Sequence, residues 1–152
     1  MPNRRTHALV AVAASGLVGY LVSDGLPDEA RVTITLGAVC GGLVGGLAPD
    51  VLEPAIHPWH RSVFHSAAFG AAVGKVGVHP IRKVAADLRA EAATVREQRL
   101  ALGIGHPDHR RLWFEELGRY FLIGFFTGAP VGYLSHLLAD MGTSRGIPLI
   151  GR

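Results

Sequence analysis

The sequence predicts an all-α, polytopic membrane helical bundle of about four spans plus one amphipathic helix. Three observations predict it. Apolar residues make up 49% of the 152 residues and charged residues only 18%, outside the usual balance of a soluble domain. The charges are gathered into a few stretches that leave long apolar runs between them. Many of the 20 glycines, which weaken helices in water, recur inside those runs at a four-residue spacing that lets membrane helices approach closely. At this length the chain forms one membrane-embedded domain, 1–152, with a charged amphipathic helix and loop at 81–116.

Residues 1–7 carry Arg4 and Arg5 and end in His7, directly before 15 uncharged residues, Ala8 to Val22. A signal peptide has the same shape, but Ser23-Asp24-Gly25-Leu26-Pro27 follows without a small-x-small cleavage site. The run therefore reads as a first span, 7–22, with Thr6 offering an N-cap. After an acidic turn at 23–31 comes Val32 to Ala48, 17 residues with no charge, which reads as a second span, 32–48, ended by Pro49. Gly37, Gly41 and Gly45, with Gly42 and Gly46, flatten one face of it. No Lys followed by Ser or Thr accompanies these glycines, so a phosphate-cradling loop is excluded.

A third apolar stretch, 62–79, is interrupted by His65 and Lys75, repeats the spacing at Gly70 and Gly74, and stops at Pro80. From Ile81 to Leu102 the charges alternate in sign while Val84, Leu88, Ala92 and Val95 recur at three or four residues, as on an amphipathic helix. His106-Pro-Asp-His109-Arg-Arg reads as a solvated turn between glycines and prolines. Leu117 to Ala139 is the longest apolar run and contains only Arg119 and His136 as titratable exceptions besides Tyr120 and Tyr133. Gly124, Gly128 and Gly132 give it a third stripe of small residues, and Pro130 is tolerated inside a membrane helix.

The net charge of +3 comes from basic residues interleaved with acids, so nucleic acid is not an expected partner. Cys40 stands alone, which excludes a disulfide framework. Arg4 and Arg5 favour one membrane orientation and Arg82, Lys83, Arg110 and Arg111 the opposite one, so charge counting leaves orientation open.

Against this apolar background, Ala48 to Ser66 concentrates Asp50, Glu53, His57, His60 and His65 within 19 residues. Carboxylates and imidazoles gathered in a membrane protein point to a metal site; the alternative is a polar loop whose Asp and His cap helix ends. Topology bears on that choice. With four alternating spans, the start of the first, the loop between second and third, and the end of the fourth lie on one side of the membrane. His7, Asp50, Glu53, His60, His65, His136 and Asp140 are thereby expected to converge, His136 and Asp140 being one helical turn apart.

Mixed nitrogen and oxygen donors suit zinc, with manganese or iron as alternatives, and the number of donors allows one or more ions. Bound metal activates water and polarises a phosphoryl or acyl oxygen. Arg61 is placed to hold an anionic phosphate, or equally to pair with lipid headgroups or Asp50. Ser66 offers a hydrogen bond behind a ligand, and neither Ser62 nor Ser66 sits in a nucleophile elbow.

The chain resembles the YdjM-like inner-membrane proteins, described as membrane-bound metal-dependent hydrolases. The resemblance rests on Arg5-Thr6-His7, Gly46-Leu47-Ala48-Pro49-Asp50, His60-Arg61 with His65-Ser66, and Gly132-Tyr-Leu-Ser-His136-Leu-Leu-Ala-Asp140 with Gly146-Ile147 beyond. The family is similar in fold to zinc-dependent phospholipases C and single-strand nucleases, which implies phosphoester hydrolysis with His136 and Asp140 as ligands. It also implies the inner or cell membrane of a bacterium or archaeon. One departure stands out: the family carries a second Asp two residues after the first, where this chain has Leu52 followed by Glu53.

The expected function is therefore hydrolysis of a phosphoester in a lipid or lipid-linked substrate. His7, Asp50, His60, His65, His136 and Asp140 would hold the divalent metal, Glu53 would serve as alternative ligand or general base, and Arg61 would hold the phosphate. The alternative is a non-catalytic membrane interaction or assembly protein whose polar cluster is structural and whose 81–102 helix recruits a partner.

Overall fold

A computed structural model describes residues 4–53 and 63–141. Helix α1 spans Arg4–Val22, α2 Asp28–Leu52, α3 Ala67–Ala72, α4 Val78–Leu102 and α5 His109–Met141; a π-helical turn, Val73–Gly77, joins α3 to α4. No strand occurs among the described residues. Gly25 and Gly103 follow α1 and α4 with φ of 75° and 76°, a left-handed conformation that lets the chain reverse without a Cβ clash.

Three helices, α1, α2 and α5, are long and apolar enough to cross a membrane. Their outward faces carry exposed Leu9, Leu17, Leu36, Val44, Phe126 and Leu138, as lipid-facing surfaces do. The expected span 62–79 is not among them. Its residues divide among the turn before α3, the six-residue α3, the π-helical turn and the start of α4.

Two prolines behave differently from the expectation. Pro80 lies in the first turn of α4, directly after the π-helical turn, whose wider ring accommodates a proline and its missing N–H. Pro49 lies inside α2, buried, and the helix runs one turn further to Leu52, where Glu53 N–H reaches the Pro49 carbonyl. That extra turn puts Asp50 on a helix instead of in a loop. Thr6 likewise lies inside α1, which begins at Arg4, and does not precede it.

The tightest packing is between α2 and α5, which run parallel. A methyl group placed on Gly124, Gly128 or Gly132 would lie 2.0, 2.1 and 2.0 Å from the carbonyl oxygens of Ile34, Ala38 and Gly42. In return, methyl groups on Gly37, Gly41 and Gly45 would meet the carbonyls of Phe121, Phe125 and Ala129 at 2.1, 2.1 and 1.9 Å. Only hydrogen fits at these six positions, so backbones touch along both helices. Helix α1 is antiparallel to both, with Ser15 Oγ donating to Gly128 O at 3.1 Å. Helix α4 is antiparallel to α5: Arg119 reaches Glu91 at 3.1 Å and Arg99 reaches Glu116 at 2.8 Å. Ala92 of α4 joins Ala30, Ile34, Tyr120 and Ile123 in a small apolar core. The starts of α1 and α3 and the ends of α2 and α5 thus share one end of the bundle.

Candidate metal centre

At that end, four elements each deliver a polar side chain into the interior. His7 comes from the second turn of α1, Asp50 from the last turn of α2, His65 from the turn before α3, and His136 with Asp140 from the last turns of α5. His7, His65, His136 and Asp140 are at most 3% exposed. Four buried titratable groups in an apolar bundle are costly unless they satisfy one another or a ligand.

Hydrogen bonds fix how the imidazoles present themselves. His136 Nδ1 lies 2.7 Å from the Gly46 carbonyl, and His65 Nδ1 lies 3.0 Å from Glu53 Oε2. A carbonyl or carboxylate only accepts, so each Nδ1 carries hydrogen and each Nε2 of the neutral ring offers a lone pair. Both Nε2 atoms face the same two aspartates. His65 Nε2 is 3.5 Å from Asp50 Oδ1 and 4.0 Å from Asp140 Oδ2. His136 Nε2 is 3.7 Å from Asp50 Oδ1 and 3.6 Å from Asp140 Oδ2. Tetrahedral donors about 2.0–2.1 Å from a zinc ion lie about 3.4 Å apart. Three of these nitrogen–oxygen separations are within about 0.3 Å of that spacing, and the fourth, His65 to Asp140, is longer by about 0.6 Å.

His7 completes the cluster from the side. Its Nε2 is 3.5 Å from Asp140 Oδ1 and its ring stacks on His136 with centroids 4.0 Å apart. Two donor triads result, His7 with His136 and Asp140, and Asp50 with His65 and His136, each with donor atoms within 4.8 Å of one another. His136 Nε2 belongs to both, is buried, and has no hydrogen-bond partner among the described residues. With one lone pair directed inward, it can ligate one ion at a time. For His65, burial disfavours the charged ring, but hydrogen bonds with Asp50 and Glu53 and the charge of Asp140 outweigh it and raise the pKa above the ordinary 6.5.

The YdjM inner membrane protein family model matches residues 1–150 of the chain. The chain belongs to that family. It is an integral inner-membrane protein, with three helices suited to the bilayer. No curated protein and no solved structure matches it.

In this YdjM protein, topology brings His7, Asp50, Glu53, His65, His136 and Asp140 together as expected from the sequence. His57, His60, Arg61 and the Gly146-Ile147 pair lie outside the described residues. Glu53 reaches the cluster through His65: one carboxylate oxygen takes the imidazole Nδ1–H and the other accepts Val63 N–H at 2.8 Å. Ser66, expected behind a ligand, instead caps α3, accepting Phe69 N–H at 3.1 Å and donating to Val63 O at 2.7 Å. The sequence reading missed the Gly46 carbonyl and Tyr133. The Tyr133 hydroxyl donates to Phe64 O and ties the His65 turn to α5. A phenol three residues before His136 was the available signal for it.

Proposed function

We propose that this YdjM protein is a membrane-bound, divalent-metal-dependent hydrolase acting on a phosphoester in a lipid or lipid-linked substrate. The observation that carries the reading is the pair of imidazoles whose Nδ1–H groups are engaged from behind while both Nε2 atoms face Asp50 and Asp140. Such a donor set, with each imidazole held from behind, supports a histidine–carboxylate metal centre.

Asp50, His65, His136 and Asp140 would hold the ion, with His7 beside them and His60 available from the intervening segment. Zinc fits this set, as do manganese and iron. When bound, the metal supplies Lewis acidity, polarising a phosphoryl oxygen and making a bound water acidic. Glu53 acts as a positioning residue that keeps His65 in its ligating tautomer, in place of the general-base role expected of it. Asp50, whose side chain is 25% exposed, stands where the cluster opens. Arg61 would hold the anionic phosphate there. The location at one end of three membrane helices favours a substrate whose phosphoester lies at headgroup level. In this reading the rod from Ala67 to Leu102 makes the fourth crossing, returning the chain to the far end before α5.

Metal analysis of detergent-purified protein beside His65→Ala and Asp140→Ala tests the site, and phosphoester turnover tests the chemistry. Stoichiometric metal in the parent and its loss in both variants is expected. Full metal retention in both variants would end the reading. A second reading has its own observation: α4 presents exposed Lys83 and Asp87 beside the apolar run of α5. A charged face at that depth suits a partner protein. Absence of turnover with every divalent ion, together with a protein that copurifies through α4, would favour this assembly role.

A further inference from the structure

The turn joining α4 to α5 sits at the end of the bundle far from the histidine–aspartate cluster. Helix α5 has 33 residues and is about 50 Å long, against about 30 Å of bilayer hydrocarbon. Its apolar run begins only at Leu117, so its first two turns stand in the headgroup layer. The exposed side chains there match that layer: Ile104 is 89% exposed and Phe114 61%. Trp113 lies between them and donates Nε1–H to Glu29 at 3.2 Å.

A recess of about 340 Å³ opens between the end of α4 and the start of α5, lined by Arg99, Ile104, His106, His109, Arg110 and Trp113. No acidic side chain lines it. The nearby acids are each paired, some of them with the recess's own side chains. Asp108 faces Arg111 at 3.4 Å and His106 at 3.8 Å, and Glu115 pairs with Arg111 and Arg119. Glu116 and Glu29 hold Arg99 at 2.8 and 3.2 Å. The acids beside Arg110 pair with Arg111 and leave Arg110 without an ion pair among the described residues, and the buried His109 Nδ1 has no hydrogen-bond partner among them. Arg99 is thus neutralised from behind and His106 faces Asp108, which leaves Arg110 as the recess's uncompensated cation among the described residues.

We propose that this recess binds the phosphate-bearing headgroup of an anionic phospholipid. Arg110 meets the phosphate with its guanidinium fork and the His109 ring supplies a further polar contact, while Ile104 and Phe114 lie against the apolar parts of the lipid beside it. Apolar side chains this exposed beside the pocket favour a lipid over a free anion, because water would otherwise cover them. The site is independent of the metal centre and of whatever reaction occurs there.

Thermal unfolding of the detergent-purified full chain tests it, with phosphatidylglycerol, phosphatidylcholine or inorganic phosphate added, and native mass spectrometry counting retained lipid. Phosphatidylglycerol is expected to raise the unfolding temperature saturably where phosphatidylcholine does not. The Arg110→Gln/His109→Gln double variant is expected to weaken that response about tenfold or more, the scale of one charge-assisted hydrogen bond. Arg111→Gln removes the same charge outside the recess, and is expected to weaken it by less than about threefold. An unchanged response in the double variant, an equal loss in Arg111→Gln, or the same stabilisation from inorganic phosphate alone would overturn the proposal.

Discussion

Replacing Gly132 by alanine puts a methyl carbon 2.0 Å from the Gly42 carbonyl oxygen and 2.7 Å from its carbon and Cα. All three obstacles are backbone, so no rotamer relieves them. A carbon–oxygen contact settles at about 3.3–3.6 Å, so α2 and α5 must part locally by about 1 Å or more. The next contact along the same face is His136 Nδ1 to Gly46 O, at 2.7 Å. Adding about 1 Å there exceeds any useful hydrogen-bond length, and the ring loses the partner that orients it. Loss of such a partner lowers metal affinity about 10- to 100-fold, and the overpacking costs about 1–3 kcal/mol of stability. Chelator-competition titrations read the first and detergent-solubilised thermal unfolding the second. Gly118→Ala is the control, since on the same helix nothing lies within 4 Å of its new methyl group. It is expected to leave affinity unchanged and stability equal or higher by up to about 1 kcal/mol. Gly124→Ala meets Ile34 O at 2.0 Å but lies three rungs of the stripe from His136, so it separates lost stability from lost affinity. Wild-type affinity in Gly132→Ala, with an unfolding temperature matching Gly118→Ala, would refute the coupling of helix contact to the cluster.

Other perturbations probe the remaining contacts. Glu53→Gln keeps an acceptor for Val63 N–H but removes the charge behind His65, and is expected to lower metal affinity about 10- to 100-fold, measured by the same titrations. In the metal-free protein, the raised His65 pKa stabilises the fold fully below 6.5 and the contribution fades as pH rises through the higher folded value. Metal needs the opposite protonation state, so affinity is expected to fall on acidification from above 6.5, and Glu53→Gln is expected to move that fall to lower pH; an unmoved profile would remove Glu53 from this role. Tyr133→Phe leaves Phe64 O without its donor and is expected to cost about 1 kcal/mol by thermal unfolding. At the far end, Arg99→Ala removes the hydrogen-bonded partner of the fully buried Glu116, leaving it only Arg96 at 4.0 Å, and is expected to cost about 3–5 kcal/mol, most of it recovered by an Arg99→Met/Glu116→Leu double substitution.

The convergence of His7, Asp50, His65, His136 and Asp140 was legible because it depends only on the direction of successive helices, which apolar runs and charge breaks reveal. Pro49 and Pro80 misled, because proline is expected to end a helix, whereas α2 continues one turn past the buried Pro49 and a π-helical turn precedes Pro80. That is why Asp50 appeared to be in a loop and why 62–79 appeared to be one uniform span. The roles of Glu53, Tyr133 and the Gly46 carbonyl depend on side-chain and backbone positions that no spacing rule specifies. One pattern nevertheless ties the glycine stripes to the cluster. In α5, Gly124, Gly128, Gly132, His136 and Asp140 form an unbroken four-residue series; in α2, Ala38, Gly42, Gly46 and Asp50 do the same. The carbonyls of Ile34, Ala38 and Gly42 each face a glycine, and the next, Gly46, accepts the His136 N–H. In α5 the face that lets the two backbones touch is thus the face that carries His136 and Asp140, while in α2 the row ending in Asp50 lies between α5 and α1. Once the series passes from glycine to histidine and aspartate, the short interhelical distance imposed by the glycines forces those side chains into one buried space.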